Sequence, residues 1–154
     1  ALSADLVVVG AHGERVITAD DFFIDLLTTA LEPGEILREI RINTPTGHFG
    51  QAYQKVHHPA SGFAVVGAAV SLNFSADGSC ESAGVGITGV ASKAYRAKNV
   101  EAALVGRQLT DEAIAAAASH AVDGVDANSD LYASEEYRRH LAQVHTRRAI
   151  ARAR

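Results

Sequence analysis

From Ala52 to Val90 the side chains alternate or run apolar in short stretches, and an Asp77-Gly78 pair interrupts them. Residues two apart on a strand share a face, so a stretch of this kind is accommodated as paired strands. Phe63 to Phe74 is a β-branched and small-residue run long enough for a central strand, and Asp-Gly turns it back into a partner from Cys80 to Val90. Ala52-Tyr53-Gln54-Lys55-Val56 alternates as well, and His57 to Gly62 connects it to the central strand. A small antiparallel sheet is expected in the middle of the chain.

The flanks differ in character. Leu6 to Val9 and Arg15 to Thr18 read as a hairpin closed by Ala11-His12-Gly13-Glu14. Thr18-Ala19-Asp20-Asp21 has capping-box spacing, with Asp in place of Glu, and leads into a short helical turn. Pro33-Gly34 then marks a boundary near Glu32 to Gly34. Beyond it Ile36, Ile40 and Ile42 share a face with Arg38, which predicts a half-buried strand followed by a loop over Asn43 to Gly50. After the sheet, helices are expected over Ala94 to Val105, ended by Gly106, and from a Thr110 or Asp111 cap to about Val122. Ile114, Ala117, Ala118 and Ala121 form the buried stripe of the latter. A third helix starts at Ser134, with Glu135 and Glu136 in its first turn and Arg147, Arg148, Arg152 and Arg154 toward its end, the charge order the helix dipole favours. Tyr137, Leu141, Val144, Ala149 and Ile150 are its expected apolar face. Sheet followed by helices defines an α+β fold.

The 154 residues, 47% hydrophobic and 21% charged, suit one globular domain, or one domain with a remnant of another. They include no methionine, and the strand pattern begins almost at Ala1, so a fragment is expected. A net charge of −4 lacks the global positive field that nonspecific nucleic-acid binding uses. The longest apolar run, Phe63 to Val70, falls well short of the ~20 residues of a membrane-spanning helix. Cys80 is alone, which excludes an internal disulfide and a cysteine-held cluster within this chain. A cytoplasmic setting, including the inner face of the membrane, is expected.

Few residues suggest chemistry by spacing. His57 and His58 on an extended segment point to opposite sides and make poor partners for one metal ion. His140 and His145, five apart on a helix, are read as surface residues. The last helix's arginines answer Glu135, Glu136 and the dipole rather than a nucleic acid. Gly84-Val85-Gly86-Ile87-Thr88-Gly89 matches G-x-G-x-x-G but opens no helix, so these are packing glycines and not a phosphate loop. Lys55 stands two residues after Tyr53 and just before a loop, where an ammonium reaches an anionic or carbonyl group of a ligand. Spacing alone leaves it a solvated lysine.

Three segments together resemble the flavoprotein (medium) subunit of the molybdenum hydroxylases, the family of aerobic carbon monoxide dehydrogenase and xanthine dehydrogenase. They are Phe22-Phe23 with Thr29 to Ile40, Tyr53-Gln54-Lys55-Val56 with His58 to Val66, and Ser129-Asp130 with Ser134 to Leu141 and Arg147-Arg148-Ala149. The resemblance covers the second half of that subunit and lacks the half with glycine-rich loops for the FAD pyrophosphate. It implies that residues 1–33 are the end of an FAD-binding (PCMH-type) domain. It also implies that 34–154 are a carbon monoxide dehydrogenase flavoprotein C-terminal-like domain, a small antiparallel sheet with a three-helix bundle. Of the family's flavin contacts, two fall on Leu37 and Lys55. Gly62 stands where many members carry an acid, and Asp25 where many carry glycine. The implied cofactor is FAD, fed by [2Fe–2S] clusters of a small subunit and a molybdopterin centre of a large subunit. A cofactor-free protein interaction module is the alternative.

Overall fold

The computed structural model describes residues 1–154 and divides into two compact units, one of Leu2–Thr44 and one of Pro45–Arg154 with Ala1.

In the smaller unit, β1 (Asp5–Gly10) pairs antiparallel with β2 (Gly13–Thr18), which is the expected hairpin. A single turn, α1 (Ala19–Phe22), follows. Its Thr18 hydroxyl donates to Asp21 Oδ2 at 2.8 Å instead of capping the backbone. Two short strands, β3 (Phe23–Asp25) and β4 (Thr28–Thr29), form a ribbon after it. β5 (Ile36–Arg41) lies on the other side of β1, giving the order β2-β1-β5. This pairing joins β5 to the hairpin, and the division between compact units falls at Thr44.

The burial of β5 also departs from expectation. Ile36, Ile40 and Ile42 are 71%, 57% and 50% exposed, while Leu37 packs with Leu6, Val8, Ile17 and Phe22. Leu37 stands opposite Val8 and so on the core face, Ile36 stands opposite Val9 on the other face, and Arg38 is an extra residue between the Leu37–Val8 and Glu39–Val7 pairs. Glu35 closes this unit's turn. Its carboxylate accepts both Arg15 Nε and Nη2 at 2.7 Å, and the Glu32 backbone N–H at 2.6 Å. The Arg15 hydrogen bonds, then that backbone donor, hold the Glu35 carboxyl down at about 2. A carboxyl depressed by folding stabilises the fold above its unfolded value and loses that contribution as pH falls through its folded value. Unfolding midpoints taken between pH 5 and pH 2 are therefore expected to fall less steeply in Glu35→Gln than in the parent chain. Parallel profiles would show that Glu35 carries none of the acid sensitivity.

In the larger unit, β6 (His48–His57), β7 (Ala64–Phe74), β8 (Cys80–Thr88) and β9 (Tyr95–Arg96) form an antiparallel sheet in that order. The central strand and the Asp77-Gly78 reversal are as expected. One face of the sheet carries Val66, Ala68, Val70, Leu72, Val85 and Ile87 into the core, and α2 (Lys98–Leu104), α3 (Asp111–Ala118) and α4 (Glu135–Ala153) complete it. Burying such side chains is worth about 1.5–3 kcal/mol each and dominates this unit's stability. Thr110 and Ser134 cap α3 and α4, their hydroxyls accepting from Ala113 N and Tyr137 N at 3.2 Å. The antiparallel sheet with three helices confirms the α+β class.

Three expectations are corrected here. The helix expected from Ala94 begins only at Lys98, because Tyr95 and Arg96 pair with the edge of β8 opposite Ile87 and Gly86. The second helix ends at Ala118 and continues as turns to Gly124. On α4 the buried face is Arg138, Leu141, Ala142, His145, Thr146, Ala149 and Ile150, while Tyr137 is exposed. His145 is thus an interior residue, not a surface one, and burial together with the nearby Arg148 charge lowers its pKa. No helix is long and apolar enough to cross a membrane.

Candidate functional site

Alternation along β6 turns Gln51, Tyr53, Lys55 and His57 outward and half-buries Ala52, Gln54 and Val56. Lys55 stands opposite Gly67 of β7, and Tyr53 opposite Ala69. Gly67 is buried although it faces outward, because the Tyr53 phenol lies across it. A Cβ there would meet Tyr53 Oη at 2.5 Å and Thr88 Cγ2 at 3.0 Å. The missing side chain lets the Tyr53 ring lie along the sheet beside the Lys55 position. Lys55 Nζ donates to the Gly62 carbonyl at 3.1 Å on an exposed surface. An ammonium has three donors, so this bond fixes its direction without exhausting it.

The connection that supplies this carbonyl is closed on itself. His58 N donates to Phe63 O at 2.7 Å, Gly62 N donates to His58 O at 2.8 Å, and Gly62 adopts a φ of 71° that favours glycine. The Ala60 N–H donates to His58 Nδ1 at 3.2 Å. The His58 ring packs on Tyr132, with centroids 4.3 Å apart. Phe63, at the loop's end, is 79% exposed.

Next to the strand that follows this loop lies one of the arginines that spacing left spread around the last helix. Arg138 is 7% exposed, and its Nη1 donates to the Val65 and Gly89 carbonyls, both at 2.7 Å. Its Nη2 donates to Asp130 Oδ2 at 2.5 Å, and Asp130 Oδ1 accepts the Tyr132 and Ala133 N–H groups at 2.9 and 2.8 Å. The Ala133 and Tyr132 donors, with the Arg138 charge, lower the Asp130 pKa. One guanidinium thereby joins the start of β7, the end of β8 and the Asp130–Ala133 turn. Only the joint presence of Ser129-Asp130 and Tyr137-Arg138 signalled this in the sequence. Arg139 behaves as expected toward Glu135, at 2.8 Å, and also donates to Val125 O.

Leu37 lies on β5 in the smaller unit, half-buried against that unit's core, whereas Lys55 belongs to the larger unit. The Gly84-to-Gly89 glycines sit on β8 and just beyond it and begin no helix. Gly84 lies against the Ala1 backbone and Gly89 against the Val65 carbonyl.

Comparison with known proteins agrees with this geometry. Residues 51–153 match the CO dehydrogenase flavoprotein C-terminal domain. The chain is 38% identical over 153 residues to the carbon monoxide dehydrogenase medium chain of Afipia carboxidovorans, covering 99% of this chain and 52% of that one. It is 33% identical over 154 residues to the caffeine dehydrogenase subunit beta of a Pseudomonas species, with 99% and 52% covered. A solved CO dehydrogenase from Hydrogenophaga pseudoflava superimposes with a TM-score of 0.94 at 34% identity, over 99% of this chain and 53% of that one. The chain spans about half the length of these relatives.

Proposed function

As this chain belongs to the CO dehydrogenase flavoprotein C-terminal domain family, we propose that it forms the C-terminal part of an FAD-bearing medium subunit of a molybdenum hydroxylase. Its partners in this reading are a molybdopterin large subunit and an iron–sulfur small subunit, and its compartment is the cytoplasm. Bound FAD would supply the redox step, taking electrons from [2Fe–2S] clusters and passing them to an external acceptor. We assign residues up to Thr44 to the end of the FAD-binding domain, since β5 pairs with β1, and the remainder to the C-terminal domain.

Each unit, taken by itself, carries one residue suited to contact with such a cofactor. Lys55 offers a directed, exposed donor for a carbonyl or anionic group, and Leu37 an apolar contact. No strand-to-helix glycine loop supports a pyrophosphate here, so the chain's part is to orient the ring end and not to grip the phosphates. The observation that carries the reading is the Lys55–Gly62 bond, which holds the ammonium at the surface ready to donate.

Lys55→Met in the natural protein is expected to weaken FAD retention about ten- to hundredfold, the value of one charge-assisted hydrogen bond of ~1.5–3 kcal/mol. The ratio of flavin to protein absorbance after dialysis measures it. Undiminished FAD would remove Lys55 from the site, and a natural protein that never carries flavin would favour a cofactor-free assembly module.

A further inference from the structure

We infer that Arg138 is a positioning residue for Lys55, acting through the 58–63 loop; the inference rests on the flavin-contact reading of Lys55. The acceptor that directs Lys55 Nζ is the Gly62 carbonyl, and this loop is exposed from Pro59 to Phe63. A short surface loop of this kind opens readily unless its ends are held. Both ends are held from the same place. At the outgoing end, Arg138 Nη1 takes the carbonyl of Val65, three residues after Gly62. At the incoming end, the Tyr132 ring covers His58, and Tyr132 is set by Asp130, which receives Arg138 Nη2.

Arg138 itself is nearly closed to solvent. Its planar fork reaches two carbonyls and a carboxylate together, which a lysine's single point charge does not do. The loop therefore reaches its resting geometry with the Gly62 carbonyl already aimed at Lys55, and a ligand meets an ammonium whose direction is set in advance. Preorganisation of this kind raises affinity by lowering the ordering cost on binding.

A double-mutant cycle on FAD affinity tests the route. The natural protein is stripped and reconstituted with FAD, and dissociation constants are read from flavin fluorescence for Lys55→Met, Arg138→Lys, Tyr132→Ala and the two doubles with Lys55→Met. Urea midpoints are recorded alongside. Tyr132→Ala removes a surface ring contact and is expected to weaken FAD about three- to tenfold, and Arg138→Lys about tenfold or more. In the Lys55→Met background both effects are expected to vanish, because nothing remains for the loop to position. Losses that multiply regardless of Lys55 would overturn the proposal and leave Arg138 a support of the fold alone. An unchanged affinity in Tyr132→Ala would overturn it too. An unchanged affinity in Lys55→Met itself would instead remove the flavin reading, a failure seen in a different variant. If Arg138→Lys does not fold, the Tyr132→Ala cycle decides the matter alone.

Discussion

Replacing Arg138 by methionine is expected to destabilise the larger unit by about 3 kcal/mol, the cost of breaking a buried ion pair moderated by its exposed partner. Methionine keeps most of the side-chain length, so the change deletes donors more than volume. It leaves the Val65 and Gly89 carbonyls without the guanidinium, and the bond to Val65 is buried. An unmet buried polar group costs about 1–3 kcal/mol, which accounts for most of the expected loss. Asp130 adds less, because more than half of its side chain is in solvent and rehydrates. The urea midpoint should drop with an unchanged slope. The penalty should also shrink in acid: the Asp130 pKa is lowered in the fold, so its carboxylate contribution persists above the ordinary carboxylate range and disappears as pH falls through the folded value. A loss below about 1 kcal/mol would mean that water replaces the guanidinium at both carbonyls, the outcome for an exposed pair.

The same residue shows where sequence reasoning ends. Features decided within a few residues were legible: the first hairpin, the Asp77-Gly78 reversal, and the Thr110 and Ser134 caps. Each depends on turn or cap chemistry that neighbours in sequence supply. Features decided by distant partners were not. Spacing left Arg138 among arginines spread around the last helix, but carbonyls 73 and 49 residues away hold it inside, on a buried face of α4 that leaves Tyr137 exposed. Tyr95 and Arg96 precede α2 in the sequence, yet the open edge of β8 takes them as a strand. On β5 the alternation of isoleucines was real, but it is Leu37, opposite Val8, that meets the core, while Ile36, Ile40 and Ile42 stay exposed. Of the site, Lys55 could be singled out by position, while Gly67, which admits the Tyr53 ring, carried no local signal.

Gly89→Ala should be the most damaging single-methyl change near this site, and Gly78→Ala supplies its scale. Both glycines have left-handed backbones, with φ of 82° and 80°, where an L side chain costs roughly 1–2 kcal/mol. At Gly78 the strain acts alone: the nearest atom to a new Cβ is the flexible Gln108 amide, 3.8 Å away. At Gly89 the Cβ would run into the Val65 carbonyl oxygen, with the Ala64 oxygen at 2.8 Å and the Val65 carbon at 2.9 Å. These are backbone atoms at the start of the central strand, and that same Val65 oxygen accepts from Arg138. Relieving the clash therefore shifts β7 or loosens the guanidinium, adding about 1–3 kcal/mol of overpacking to the strain. Gly89→Ala is expected to lose about 2–5 kcal/mol in urea unfolding, at least twice the loss in Gly78→Ala. Equal losses in the two variants would show that the strand end yields freely, and that the carbonyls gripped by Arg138 are not held in one place.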